Sequence, residues 1–382
     1  MCAFNQTDYI KVREKSLYGR YITNNHIEAV VNGLGEKFTV TELGRSVLNN
    51  PIQAITVGRG DKRILMWSQM HGNESTTTKA VFDFLNLLSN AGHALANTIL
   101  DNCTISIIPI LNPDGAERYT RFNANNVDLN RDASALTQPE SKLLSDYFKA
   151  FKPHFCFNLH GQRTIFGAGK ENKSATVSFL SPSQDKNRSL TLTRKKAMEI
   201  IVAMYTALQT DIPEQIGIYD DGFNINCVGD LFQSLGVPTV LFEAGHYSND
   251  YQREQVRFFI CKAIVAAVCY ISKHAVDGEA YERYLEIPQN EKTFFDIIVR
   301  RAKLSASDDI VCDVAIQYEE ELKANEVVFI PIVKQIGGVD GYFGHLELDA
   351  QEKLVHNGEK KGLKVGFECN FIMIGNEKYS LK

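Results

Sequence analysis

Residues 63–88 read RILMWSQMHGNESTTTKAVFDFLNLL, and they combine a strand, a polar turn and a helix. Residues 63–70 predict a strand because consecutive apolar side chains follow its first residue. Residues 75–88 predict a helix, since Ala80, Phe84 and Leu88 recur on one helical face. A buried strand that leads through a short turn into a helix is typical of α/β proteins.

The same alternation continues through most of the chain. Further strands are predicted at residues 52–57, 104–110, 155–159 and 237–243, and further helices at residues 140–151, 190–209 and 250–273. We therefore expect an α/β fold with a mixed, mainly parallel sheet and helices on both faces. After about residue 280 the segments are short and β-prone, at residues 294–301, 310–318, 327–333, 354–356, 364–367 and 371–374. The predicted domains are 1–280, catalytic, and 285–382, small and β-rich.

The composition excludes some classes of partner. Lys and Arg total 41 and Asp and Glu total 46, so a net charge of −5 argues against binding to nucleic acid or an anionic membrane. The eight cysteines form no C-x-x-C pair and favour buried free thiols. The first residues lack the regions of a signal peptide, and the apolar stretch at 260–271 is too short to span a bilayer. We expect a cytoplasmic protein.

Two histidines and a glutamate have the chemistry of a metal site. His71 and Glu74 lie in the turn of the opening stretch, and His160 ends the strand predicted at residues 155–159. A catalytic zinc site uses three such ligands and keeps one open position. Ligands bind beyond the carboxyl ends of strands in open α/β sheets, where both histidines are expected. Asp128 is a candidate to hold a ligand imidazole. Taken singly, each of these residues also fits an ordinary structural role.

A long polar loop at residues 111–139 supplies candidate anion-binding groups. Arg121, Asn130 and Arg131 lie in it, and arginine binds a carboxylate through two parallel hydrogen bonds. Any one of these arginines alone would more often be a solvated surface charge. Glu243 closes the buried strand at 237–243, where a carboxylate is costly unless it is used, so it is a plausible general base. His246 is a weaker candidate metal ligand.

Together these segments resemble the zinc carboxypeptidases of the carboxypeptidase A/B type. The resemblance covers residues 20–275 and consists of HGNE at 71–74, NPDG at 112–115, RFNANNVDLNR at 121–131 and LHG at 159–161, with Glu243 following in order. It implies one Zn²⁺ per chain, a peptide substrate with a free carboxylate, and these roles: zinc ligands His71, Glu74 and His160, catalytic base Glu243, carbonyl-polarising Arg121, carboxylate-binding Asn130 and Arg131, and supporting acid Asp128.

Some features depart from that family. Its mobile tyrosine has no clear counterpart, and Tyr219 and Tyr247 are only possible substitutes. The preference for a substrate side chain is expected to depend on residues 227–230. Because a β-rich region follows, a related alternative is a zinc-dependent N-acyl amino acid amidohydrolase of the aspartoacylase or succinylglutamate desuccinylase type. A binding module on an inactive peptidase fold is a third possibility.

Overall fold

The computed structural model describes residues 4–90, 92–307, 309–358 and 362–381. Its contacts divide the chain into two units, Met1–Gln162 with Ala175–Asn290, and Arg163–Ser174 with Glu291–Lys382. The short segment Arg163–Ser174 belongs with the second unit, which no sequence pattern had indicated. The domain bounds expected from the sequence, 1–280 and 285–382, stay a prediction, because a division by contacts does not test independent folding.

The first unit is built on an eight-stranded sheet. Its strands are β1 (Thr39–Arg45), β2 (Pro51–Val57), β3 (Lys62–Ser68), β4 (Cys103–Ile108), β5 (Phe155–Gly161), β7 (Val177–Leu180), β8 (Ile216–Ile218) and β9 (Thr239–Ala244), while β6 (Gly167–Ala168) belongs to the second unit. They pair in the order β1-β2-β4-β3-β5-β9-β7-β8. The central strands β4, β3, β5 and β9 run parallel, whereas β1, β2 and β7 make antiparallel pairs.

Helices cover both faces of this sheet. They are α1 (Gln6–Val12), α2 (Asn24–Asn32), α3 (Thr76–Ser89), α4 (Ala94–Asn102), α5 (Pro113–Glu117), α6 (Pro139–Phe151), α7 (Leu192–Leu208), α8 (Val228–Ser234) and α9 (Glu254–Lys273). Side chains alternate along β3, so Ile64 and Met66 pack with α3, α7 and α9, while Leu65 and Trp67 pack with α6 and α8. The predicted α/β fold with a mixed sheet and helices on both faces is confirmed.

Helix α9 is long and apolar. Its 20 residues have the length and mean hydropathy, 1.6, of a membrane span, but 89% of that window is buried inside the fold. Core helices of globular domains share this composition, since they are apolar on all sides. Among the described cysteines, six are free thiols as expected, whereas Cys269 is disulfide-bonded. The cytoplasmic location stays a prediction.

The second unit is β-rich. Its later strands are β10 (Asn290–Glu291), β11 (Phe294–Lys303), β12 (Val311–Lys323), β13 (Glu326–Ile336), β14 (Phe343–Asp349), β15 (Val355–His356), β16 (Phe371–Ile374) and β17 (Glu377–Ser380). One sheet has the order β13-β12-β11-β14 and another β15-β16-β17, and Ile297, Val314 and Ile372 share their core. The strand predicted at 364–367 is wrong: Phe367 N donates to Lys364 O in a turn, with Gly366 at a φ of 84°.

Candidate metal centre and active site

Four of the predicted site residues lie at one edge of the large sheet. His71 and Glu74 occupy the turn between β3 and α3, His160 lies near the end of β5, and Glu243 lies near the end of β9. Because these three strands are parallel, their carboxyl ends meet at this edge. His160 and Glu243 are register partners on neighbouring strands. The fold therefore brings together side chains that are far apart in the sequence.

The turn that carries His71 and Glu74 packs closely against the backbone near Gly115. A Cβ added at Gly72 would lie 2.0 Å from the backbone carbon of Gly115, so only glycine permits this approach of the two segments. In the neighbouring segment, residues 113–115 begin α5. Asn112 caps this helix by accepting a hydrogen bond from Gly115 N at 2.9 Å.

His71, Glu74 and His160 form one compact cluster. Their ligand atoms all lie within 4.8 Å of one another. His71 Nδ1 is 2.8 Å from Glu74 Oε1, His160 Nδ1 is 2.9 Å from Glu74 Oε2, and the two Nδ1 atoms are 3.2 Å apart. Both histidines are 2% exposed. The cluster thus directs two imidazole nitrogens and a carboxylate at one small volume.

The proton arrangement in this cluster suits a cation. Asp128 Oδ1 lies 3.1 Å from His71 Nε2, and a carboxylate accepts hydrogen bonds, so His71 donates from Nε2. In the neutral imidazole, Nδ1 of His71 then carries a lone pair, and it faces the oxygens of Glu74 and Nδ1 of His160. Several acceptors that face one another repel unless a proton or a metal ion lies between them. These residues fit the ligand set of a catalytic zinc site.

The pKa shifts of His71 and Glu74, though not that of His160, show the same preference for positive charge. Burial lowers the pKa of His160, which favours its neutral form. Burial acts to lower the pKa of His71 as well, but the carboxylates of Glu74 and Asp128 outweigh it and raise the pKa. Burial acts to raise the pKa of Glu74, but the two imidazoles hold it well below the ordinary value. An electric field that favours a proton on a buried imidazole also favours a metal cation.

Arg121 lies beside the cluster and shares Asp128 with His71. Its Nε and Nη2 lie 2.9 Å from Asp128 Oδ2, and its Nη1 lies 3.2 Å from His71 Nδ1 and 3.7 Å from Glu74 Oε1. Burial opposes ionisation of Asp128, but His71 and Arg121 hold its pKa far below the usual range. Asp128 therefore orients both the imidazole and the guanidinium. Arg121 is 39% exposed, so it can also reach a ligand in the cleft.

Asn130 and Arg131 follow in a short 3₁₀ helix, Leu129–Arg131, which Asp128 caps. Asn130 Oδ1 accepts a hydrogen bond at 2.9 Å from the backbone N of Val228, the first residue of α8. Arg131 Nη1 donates to Asn130 O at 2.6 Å and lies 3.1 Å from Cys227 Sγ. The Arg131 side chain is otherwise at the surface of the unit. The pair therefore joins the loop of residues 111–139 to the start of α8.

Glu243 is the fourth residue at this sheet edge. It is 8% exposed, and within the described parts of the chain its Oε2 atom has no hydrogen-bond partner. Burial raises its pKa well above the ordinary value, and the nearby carboxylate of Glu74 raises it further. A raised pKa makes a carboxylate a stronger base, and the free oxygen can accept a proton.

Arg253 was missed by the sequence reasoning. It precedes α9, is 3% exposed, and has a positive φ of 56°, which is uncommon for a residue with a side chain. Its guanidinium donates to Ala244 O at 2.5 Å and to Gln162 O at 2.6 Å, so it joins the ends of β9 and β5. These strand ends carry Glu243 and His160. A lone arginine before a helix carries no local signal of this role.

Tyr219 and Tyr247, the possible substitutes for the family's mobile tyrosine, do not belong to the cluster of His71, Glu74 and His160. Tyr219 and Tyr247 are partly buried against the apolar core, where Tyr247 packs on Phe259 with ring centroids 5.5 Å apart. His246 is 1% exposed and contacts the ring of Tyr251 at 4.7 Å. It does not belong to the three-residue group of potential metal ligands identified among the described residues.

Comparison with known proteins identifies the family. A model of the family described as zinc carboxypeptidase matches residues 23–226, more than half of the chain. The chain therefore belongs to the zinc carboxypeptidase family, which confirms the resemblance found in the sequence.

Individual relatives are similar over shorter stretches. Carboxypeptidase 2 of Trichophyton rubrum is 30% identical over 130 residues, which is 33% of this chain and 24% of that protein. Carboxypeptidase D of Mus musculus is 30% identical over 134 residues, covering 30% of this chain and 10% of that protein. The matched stretch thus spans about a quarter or less of the length of these curated relatives.

Solved structures show the same fold. A metallo-carboxypeptidase from Burkholderia cenocepacia has a TM-score of 0.55 at 19% identity, covering 65% of this chain and 69% of that one. A carboxypeptidase A from Helicoverpa armigera has a TM-score of 0.54 at 17% identity, covering 67% and 74%. At such identities the likeness supports the fold and nothing finer.

Proposed function

We propose that this protein is a zinc-dependent metallo-carboxypeptidase that removes the C-terminal residue of a peptide. The proposal assigns the zinc, one ion per chain, to His71, Glu74 and His160. Family membership and the compact cluster of these three side chains support it. The observation that carries the proposal is the position of Glu243, a buried carboxylate with a free oxygen, on the strand next to a metal ligand.

Each remaining residue has a separate task in this proposal. A bound zinc ion would polarise the scissile carbonyl and lower the pKa of the attacking water. Glu243 takes a proton from that water and returns it to the leaving amine. Arg121 donates hydrogen bonds to the carbonyl oxygen as negative charge develops on it. Asn130 and Arg131 bind the terminal carboxylate of the substrate, which selects the last peptide bond.

A substrate panel tests this function. The panel contains a peptide with a free C-terminus, the same peptide amidated, and an N-acyl amino acid, each assayed with zinc and with a chelator. We expect zinc-dependent release of the C-terminal residue from the free acid and poor cleavage of the amide. Equal cleavage of acid and amide would contradict the role of Arg131 and the exopeptidase assignment.

The N-acyl amino acid separates the related alternative. An amidohydrolase of the aspartoacylase or succinylglutamate desuccinylase type would hydrolyse it faster than the peptide. The family model, described as zinc carboxypeptidase, and curated relatives such as carboxypeptidase 2 and carboxypeptidase D favour the carboxypeptidase over that alternative. Faster hydrolysis of the N-acyl amino acid would replace the proposed function with the alternative one.

A further inference from the structure

A row of side chains lies on the sheet directly below the metal cluster. Trp67 on β3, Asn158 on β5 and Leu241 on β9 are register partners across three parallel strands, so their side chains point to the same face. His160 follows Asn158 by two residues and points to that face as well. His160 and Glu243 therefore form the row at the sheet edge, and Asn158 belongs to the row one step deeper.

Asn158 is buried without satisfying its amide group. It is 1% exposed, and within the described residues neither Nδ2 nor Oδ1 has a hydrogen-bond partner. Trp67 beside it is fully buried, and its Nε1 also has no partner among those residues. Unsatisfied buried polar groups cost stability, and leucine at position 158 would avoid that cost. The amide is better explained by a ligand group that completes its hydrogen bonds.

Asn158 lies next to the residues proposed to hold the substrate carboxylate. A Cβ added at Gly229 would lie 3.9 Å from Asn158 Nδ2, which places α8 close to the amide. The two residues before Gly229, Val228 and Cys227, contact Asn130 and Arg131 respectively. If Asn130 and Arg131 bind the substrate's terminal carboxylate, the side chain of the substrate's C-terminal residue therefore lies near Asn158.

We propose that Asn158 recognises the side chain of the substrate's C-terminal residue and that this side chain is an uncharged carboxamide, glutamine or asparagine. This inference rests on the proposed function. A carboxamide offers one acceptor and one donor group, and Asn158 lacks partners for both of its own. An anionic side chain would be repelled by the carboxylate of Asp230, the neighbour of Gly229. That carboxylate already accepts a hydrogen bond from Asn224 N at 3.1 Å.

Peptides that differ only in the last residue test the proposal. The series ends in Gln, Met, Glu or Lys, and kcat/KM is measured for wild type and for Asn158→Leu. Wild type should prefer Gln to the similarly sized Met by at least about tenfold, because a site built for hydrogen bonds rejects the analogue that lacks them. Asn158→Leu should reverse this preference and keep its zinc. Asn97→Leu, at an exposed position on α4, is the matched control and should change neither.

A second variant keeps the size of the side chain. Asn158→Asp replaces the amide donor by a carboxylate, so the preference should move from Gln towards Lys. Three outcomes would overturn the inference. The first is an equal loss of kcat/KM on all four peptides in Asn158→Leu, as expected if Asn158 binds a buried water only. The others are a wild-type preference for Lys, which would assign recognition to Asp230, and a wild-type preference for Met. Absence of cleavage of every free-acid peptide by the zinc-loaded wild type would overturn the proposed function, and this inference with it.

Discussion

Two clusters of buried charge lie along α3, and their hydrogen bonding is opposite in kind. Just before the helix starts, the Nδ1 atoms of His71 and His160 and the two oxygens of Glu74 lie 2.8, 2.9 and 3.2 Å apart. Further along, Asp83 meets Arg257 of α9, and both side chains are fully buried. Arg257 donates to the two oxygens of Asp83 at 2.6 and 2.5 Å. In the first cluster the guanidinium of Arg121 lies to one side, 3.2 Å from His71 Nδ1. In the second, the guanidinium of Arg257 pairs directly with the carboxylate of Asp83.

The second cluster also ties the N-terminal segment to the core. Asp83 accepts hydrogen bonds from Tyr9 OH at 3.1 Å and from Glu14 N at 2.7 Å. Arg257 donates to Leu17 O at 2.5 Å and to Glu14 O at 2.7 Å. Each buried donor thus meets an acceptor, which is the condition for a buried ion pair to be tolerated. The comparison shows that a metal site differs from a structural ion pair in how its buried charges are paired, and not in how many there are.

The largest expected effect is on the first cluster. His160→Ala removes one of three proposed zinc ligands, so the variant should lose zinc and all measurable peptidase activity. The free energy of unfolding of the metal-free protein should change little, because the core is large and the residue lies at a sheet edge. Metal analysis and urea unfolding measure both. His154→Ala, at an exposed position, is the matched control, and full zinc occupancy in His160→Ala would refute the assignment.

The second cluster should respond in the opposite way. Arg257→Met leaves Asp83 buried and unpaired, which typically costs about 3–5 kcal/mol of unfolding free energy. The double variant Asp83→Leu with Arg257→Met should lose less than the single variant, because no charge is left unpaired. Zinc bound per folded chain should be unchanged. A loss below about 1 kcal/mol in urea unfolding of Arg257→Met would show that the ion pair does not hold these segments together.

Arg121 and Arg131 sharpen the comparison within the site. Arg121 is proposed to meet charge that develops only in the transition state, so Arg121→Ala should lower kcat and kcat/KM together, by about 10²–10³. Arg131 is proposed to hold a carboxylate present throughout, so Arg131→Ala should mainly raise KM. Steady-state kinetics on one free-acid peptide distinguish the two patterns. The roles would be wrong if the patterns were exchanged.

The smallest effect concerns the pH dependence of stability at Lys79 of α3. Lys79 borders the second cluster, because its partner Glu254 also accepts a hydrogen bond from Arg257 Nη1 at 3.2 Å. Burial lowers the pKa of Lys79 from 10.5 to about 8, although Glu254 at 2.5 Å acts to raise it. Between these values the unfolded chain binds more protons at Lys79 than the folded chain, so unfolding free energy rises with pH. This contribution of Lys79 to the unfolding free energy is complete above pH 10.5 and is lost as the pH falls through 8. Its slope is at most about 1.4 kcal/mol per pH unit.

Lys79→Met isolates this contribution. The difference in unfolding free energy between wild type and Lys79→Met should change with pH between 8 and 10.5, the two values that bound the shift. Urea unfolding at several pH values measures it. A difference that stays constant over this range would mean that Lys79 keeps an ordinary pKa in the fold.

The sequence predicted the first cluster better than the second. His71 and Glu74 share one turn, and His160 ends an apolar strand, so ligand chemistry and strand ends together pointed to them. Asp83 and Arg257 are 174 residues apart on two helices, and no local pattern joins them. The order of the strands, which brings β5 and β9 side by side, likewise depends on long-range packing.

Some smaller features could not be predicted from the sequence for similar reasons. Arg253 donates hydrogen bonds to backbone carbonyls at the ends of two strands. Every residue has such a carbonyl, so the pattern of side chains cannot indicate these partners. The unsatisfied amide of Asn158 is visible only when burial and register are known. The turn at residues 364–367 was mistaken for a strand because a short β-prone segment around Gly366 resembles one.

The most direct test of the account is Glu243→Gln measured for turnover and zinc content in the same preparation. Glutamine keeps the shape of the side chain but cannot take a proton from the attacking water. General-base catalysis contributes about 10²–10⁴-fold, so turnover should fall by at least that order while zinc stays at one ion per chain. Near-normal turnover would contradict the role of Glu243 as base, and loss of zinc would make Glu243 part of the metal site instead.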